Sequence, residues 1–164
     1  MLEQGYSVIR QMKKNDKEEL DRVCKIWLDG SYEVHNFIDD HKNFWLKMQG
    51  DFVKQTVSAD GYVYEEDKLI KGFMTMKNSY IYELFVEYIW RKKGIGIALL
   101  NLAKSTCDSL YLDVYVRNIP AIKWYHGRGF AIASINENEA KKFNDQKHLK
   151  YRMVWTKPLV PKDC

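Results

Sequence analysis

Arg91-Lys92-Lys93-Gly94-Ile95-Gly96-Ile97-Ala98 joins a strand-like run to a helical pattern through two glycines and three cations. Before it lies a strand-like run, Tyr80 to Val86. After it, from Gly94 to about Cys107, Ile95, Ala98, Leu99, Leu102 and Ala103 recur on one helical face. Two glycines let the backbone bend tightly and approach a ligand without interference from a Cβ. A helix start presents unpaired N–H groups and a partial positive charge, and Arg91, Lys92 and Lys93 add three cations in front of it. The segment therefore suits a pyrophosphate. Its blander reading is a glycine-rich turn with a solvated basic face.

Two common nucleotide motifs do not fit. A dinucleotide-binding Gly-x-Gly-x-x-Gly requires glycine where this chain has Leu99. Asp113 lies at about the right distance, but within Leu112-Asp113-Val114 rather than at a clear strand end, and a single crossover replaces the repeated set that fold needs. A phosphate loop would require Gly-Lys-Ser/Thr, which the chain lacks.

The flanking sequence supplies the rest of the domain. Tyr6 to Gln11 reads as a first strand. Asp16 with Glu19 three residues on is a capping-box pattern, and Leu20, Val23, Cys24 and Trp27 then mark one helical face. Asp39 or Asp40 opens a second helix with Phe44, Trp45, Met48 and Phe52 on one side. Tyr62–Glu65, Leu69–Met76 and Tyr80–Val86 read as strands joined by the turns Glu66-Asp67-Lys68 and Lys77-Asn78-Ser79, an antiparallel meander. Leu110–Val116 is a further strand, and Pro120 suits the first turn of a short helix that Gly127 or Gly129 ends. Phe130–Ser134 and Lys150–Thr156 close the chain around a polar loop, Asn136 to Gln146. The predicted order is β-α-α-β-β-β-α-β-α-β-β: one α/β (α+β) domain over residues 1–164. Its mixed, mostly antiparallel sheet has about seven strands flanked by about four helices, with one right-handed crossover.

Composition agrees with that size. The chain has 164 residues, 46% hydrophobic and 29% charged, as an ordinary globular domain has. A net charge of +4 is compatible with a small polyanionic ligand without demanding nucleic acid. Cys24, Cys107 and Cys164 are odd in number with no C-x-x-C spacing, which argues against a disulfide framework and for a reducing compartment. With no apolar leader and no stretch long enough to span a bilayer, the expected location is the cytoplasm. His35, His41, His126 and His148 share no metal-ligand spacing, so no metal is expected. Lys141, Lys142, Lys147 and Lys150 alternate with Glu137, Glu139 and Asp145, which reads as a solvated loop rather than a nucleic-acid patch.

Arg91, Gly94 and Gly96 resemble the Arg/Gln-x-x-Gly-x-Gly/Ala motif of the GNAT (GCN5-related N-acetyltransferase) superfamily, and Leu84-Phe85-Val86 is similar to the end of its preceding strand. Asn118-Ile119-Pro120-Ala121-Ile122-Lys123-Trp124-Tyr125-His126-Gly127-Arg128-Gly129-Phe130 resembles its second signature, Asn-x-x-Ala-x-x-Phe-Tyr-x-x-x-Gly-Phe. The resemblance implies an acetyl-CoA-dependent N-acetyltransferase. In that reading Arg91, Lys92, Lys93, Gly94, Ile95, Gly96 and Ile97 form the pyrophosphate cradle, Phe85 and Val86 pair with the pantetheine arm, and Asn118 touches the same arm. Tyr125 gives its phenolic proton to the departing thiolate. The partners implied are acetyl-CoA and a primary amine, taken by a monomer or homodimer with no nucleic acid or membrane.

The stretch Ile26-Trp27 through Ser31 to His35-Asn36-Phe37-Ile38 resembles a branch of small bacterial acetyltransferases, and would supply the acceptor pocket from Trp27, Ser31, His35 and Phe37. The chain departs from the family at the positions four and six residues before Val86. There a carboxylate or histidine is common, and here Tyr82 and Tyr80 stand. Glu83 is adjacent, but strand alternation turns it to the opposite face unless a bulge intervenes. The general base is left between Glu83, His35 and a water chain. An acyl-CoA sensor without turnover is the alternative on the same fold.

Overall fold

Asp16 starts the first helix as its pattern predicts, its carboxylate accepting from the Glu18 and Glu19 amides. Glu19 does not reach back to complete a capping box. It takes a two-pronged contact from the Arg10 guanidinium (2.9 and 3.0 Å) and accepts from the Lys13 amide at 2.7 Å. In the computed structural model, which describes residues 5–160, seven strands and five α-helices fall into two compact units that divide between residues 102 and 103. Pro161 and Cys164 lie outside the described residues.

In the first unit β1 (Ser7–Gln11), β2 (Asp60–Glu66), β3 (Leu69–Lys77) and β4 (Tyr80–Val86) pair in that order, each antiparallel to the next. Asp67 and Lys68 both have positive φ (52° and 62°), the left-handed pair that a tight hairpin requires. Helices α1 (Lys17–Val34) and α2 (His41–Ser58) pack on one face of these strands. Trp27 stacks on Phe52 at 4.4 Å, Phe52 meets Phe73 edge-on, and Phe73 stacks on Phe85 at 6.0 Å. Gly30 is required there: a Cβ would stand 2.6 Å from the Phe85 ring. Asp40 caps α2 in a left-handed conformation (φ 49°) with no side-chain hydrogen bond to the helix amides.

The second unit holds β5 (Ser109–Tyr115), β6 (Ala131–Asn136) and β7 (Lys150–Thr156), ordered β5-β7-β6 and antiparallel throughout. Leu110, Leu112 and Val114 fill one face with Met153 and Trp155, all buried. On the other face Asp113 takes two bonds from Arg152 and one from Asn136. Helix α4 (Ile119–His126) carries Pro120 in its first turn. A short helix α5 (Asn138–Lys142) occupies part of the segment expected as polar loop, which makes five helices rather than about four. Helix α3 (Ile95–Thr106) runs through the division between the units.

Candidate active site

After β4 the chain makes one 3₁₀ turn, Tyr88–Trp90, and reaches α3 through Arg91 to Gly94. Lys92 (φ 62°) and Gly94 (φ 84°) are left-handed while Lys93 between them is not, an alternation that gathers successive N–H groups into an anion-binding concavity. Among the described residues, no backbone carbonyl outside the regular elements accepts from the amides of Lys92 to Ile97. Of the two glycines, only Gly94 has a left-handed backbone angle. Gly96 sits in the first turn of α3 with ordinary φ, so the two expected bends are one. Lys92 and Lys93 are exposed.

Arg91 is held more tightly than a solvated cation would be. Its Nε donates to the Val86 carbonyl at 3.0 Å, its Nη1 to Glu33 Oε1 at 2.8 Å, and its guanidinium lies 5.5 Å from the Tyr88 ring centroid. Trp90 is flanked by two ammonium groups, Lys71 Nζ at 3.7 Å and Lys93 Nζ at 5.2 Å. Lys71 is itself buried against Glu66 at 2.6 Å. No local pattern announces the Arg91–Glu33 contact, because the two residues stand 58 positions apart.

On β4 a bulge does intervene, at Tyr82. Thr75 pairs with Glu83 and Met76 with Ile81, leaving Tyr82 without a cross-strand partner. Paired residues share a face of the sheet. Glu83 therefore sides with Phe85 and Phe73, the face that α1 and α2 cover, and the bulge brings Tyr80 to join it. Val86 sides with Leu84 and Met74 on the opposite face, where Ile95 packs below Gly72.

The expected acceptor residues divide. Trp27 is 4% exposed and clamped between Phe52 and Trp45, and Ser31 is 1% exposed, so both are buried. His35 ends α1, half-buried, its ring 5.2 Å from Trp45 and 6.0 Å from Phe37. Glu33, two residues before it, is exposed.

In the second unit Asn118 is the N-cap of α4, its Oδ1 accepting from the Ala121 amide at 3.3 Å. That oxygen holds the helix start. Tyr125 is half-buried in α4, braced edge-on by Trp124 at 5.0 Å and by Phe130 at 5.4 Å. The described residues contain no His/Cys/Asp/Glu group able to hold a metal, and no helix long and apolar enough to cross a membrane.

A family model described as an acetyltransferase (GNAT) domain matches residues 31–154. The chain belongs to the GNAT acetyltransferase family. Peptidyl-lysine N-acetyltransferase YiaC of Escherichia coli (strain K12) is 30% identical over 125 residues, covering 74% of this chain and 83% of that protein. An N-alpha-acetyltransferase of Sulfurisphaera tokodaii is 24% identical over 135 residues, covering 74% and 78%. The solution structure of apo-form YjaB from Escherichia coli shares the fold with a TM-score of 0.78 at 19% identity, over 93% of this chain and 99% of that one. PaiA N-acetyltransferase from Thermoplasma acidophilum, in complex with coenzyme A, gives 0.71 at 15% identity, over 92% and 99%. The fold is thus that of a GNAT acetyltransferase across nearly the whole chain.

Proposed function

We propose that this GNAT acetyltransferase moves the acetyl group of acetyl-CoA directly to the primary amine of a peptide, working in the cytoplasm. The observation that carries the donor is the loop from Arg91 to Ile97, whose alternating left-handed residues offer a row of amides to a pyrophosphate under exposed Lys92 and Lys93. The two relatives named for peptide amines, one peptidyl-lysine and one N-alpha, support the acceptor class.

In this reading the amine nitrogen attacks the thioester carbonyl, a C–N bond forms, the C–S bond breaks, and the amine's proton leaves to a base. Glu83 is the base we assign, because it lies on the sheet face that α1 and α2 cover, the helices from which the family builds its acceptor pocket. His35 is disfavoured by its packing against Trp45 and Phe37. Tyr125 protonates the departing thiolate, a step worth roughly 10²–10⁴-fold.

The test is release of free thiol from acetyl-CoA with two peptides, one carrying an internal lysine behind a blocked N-terminus and one a free N-terminus without lysine. Thiol release with either supports transfer, and the faster peptide names the acceptor. Binding of acetyl-CoA without thiol release on either peptide or on a panel of small amines would replace the enzyme with an acyl-CoA sensor.

A further inference from the structure

Arg91 makes two contacts that belong to two different tasks. Through Nε it occupies the carbonyl of Val86, at the end of the strand proposed above to meet the pantetheine arm. Through Nη1 it holds the carboxylate of Glu33, in the last turn of α1, where the chain turns toward His35 and Phe37. The pair is half-open to solvent, with side-chain exposures of 30% and 42%. An ion pair so placed is weak, commonly under about 1 kcal/mol, and a stronger anion can displace it. A pyrophosphate carries more charge than one carboxylate, and the amides beside Arg91 reinforce its hold.

We infer that Glu33 is a competing internal anion for Arg91, and that coenzyme A binds by exchanging the Arg91–Glu33 pair for an Arg91–pyrophosphate pair. The inference rests on the donor reading proposed above and adds regulation to it. Seating the donor shifts the carboxylate of Glu33 from paired to free. The end of α1 thus gains a free negative charge beside the acceptor segment at that moment, which suits the arrival of a cationic amine after the donor rather than before it. No covalent step is involved; one ion pair replaces another.

The test is calorimetric titration of coenzyme A into the intact chain, its Glu33→Gln and Arg91→Ala variants, and the double variant. Glu33 is exposed and in the last turn of its helix, so Glu33→Gln is expected to fold normally. The expected result is coenzyme A binding about two- to five-fold tighter to Glu33→Gln than to the natural chain at low salt, a gain of the size an exposed pair is worth. The gain shrinks as salt screens the competing pair. It vanishes when Glu33→Gln is placed on Arg91→Ala, because the competitor then has nothing to hold. Unchanged or weaker binding by Glu33→Gln overturns the inference while leaving the donor reading intact. A gain that persists on the Arg91→Ala background also overturns it, since Glu33 would then act on the ligand directly. No binding by the natural chain overturns the donor reading and the inference with it.

Discussion

At the scale of single residues, Tyr125 and Gly94 carry the sharpest expectations. Tyr125→Phe keeps the ring that packs on Trp124 and Phe130 and removes only the hydroxyl. It should lower kcat by about ten- to a thousand-fold with the affinity for acetyl-CoA nearly unchanged. Steady-state rates beside calorimetry separate the two, and unaltered turnover removes Tyr125 from the chemistry. Glu83→Gln should cost about a hundredfold in kcat if that carboxylate takes the amine's proton, and single-turnover rates would show it. Gly94 has open space where a Cβ would go, so its constraint is its φ of 84° and not crowding. A β-branched residue there costs about 1–2 kcal/mol in the left-handed region and pulls the loop away from the cradle geometry. Gly94→Val should therefore lose most of its coenzyme A affinity with its circular dichroism preserved. Wild-type affinity in that variant would mean the pyrophosphate is held elsewhere.

At the scale of elements, the tie between β1, β2 and α1 is electrostatic. The Arg10 guanidinium spans Glu19 on α1 and Glu65 on β2, and Glu19 also takes the Lys13 amide. Burial pushes the Glu19 carboxyl up, but the Arg10 contact and the Lys13 amide outweigh it and hold the group below its usual range. A carboxylate lowered by folding adds stability above its unfolded value, and that stability drains away as pH falls through its folded value. The chain should thus lose stability on acidification from about pH 4.5 downward. Glu19→Gln should cost about 2 kcal/mol at neutral pH and flatten that acid limb. Urea melts from pH 3 to 7 check both, and parallel profiles for the two proteins would contradict the assignment.

The elements themselves were largely legible. Tyr80–Val86 and Lys150–Thr156 coincide with their strands because β-forming residues fill each run and turn residues bound it. Helix α5 escaped because its five residues carry no apolar period. The bulge at Tyr82 stood in the sequence only as a condition, because an extra residue in one strand leaves composition and turn signals untouched, yet it decides which face Tyr80 shares with Glu83. The bent loop ahead of α3 was legible from Gly94 and the helix start. The Arg91–Glu33 contact was not, since nothing local in either segment announces a partner so distant in the chain.

At the scale of the whole molecule, a net charge of +4 and one loop of clustered amides and cations make a polyanionic donor the natural ligand of this family member. Thermal unfolding with acetyl-CoA, coenzyme A and NADH at matched concentrations checks the donor assignment at the level of the whole domain. A ligand present at 100 times its Kd stabilises by about 2.7 kcal/mol, several degrees for a domain of this size. The expected result is a rise of that order with acetyl-CoA and coenzyme A and none with NADH. A midpoint unmoved by either coenzyme A form, at concentrations that saturate acetyltransferases of this family, would contradict it.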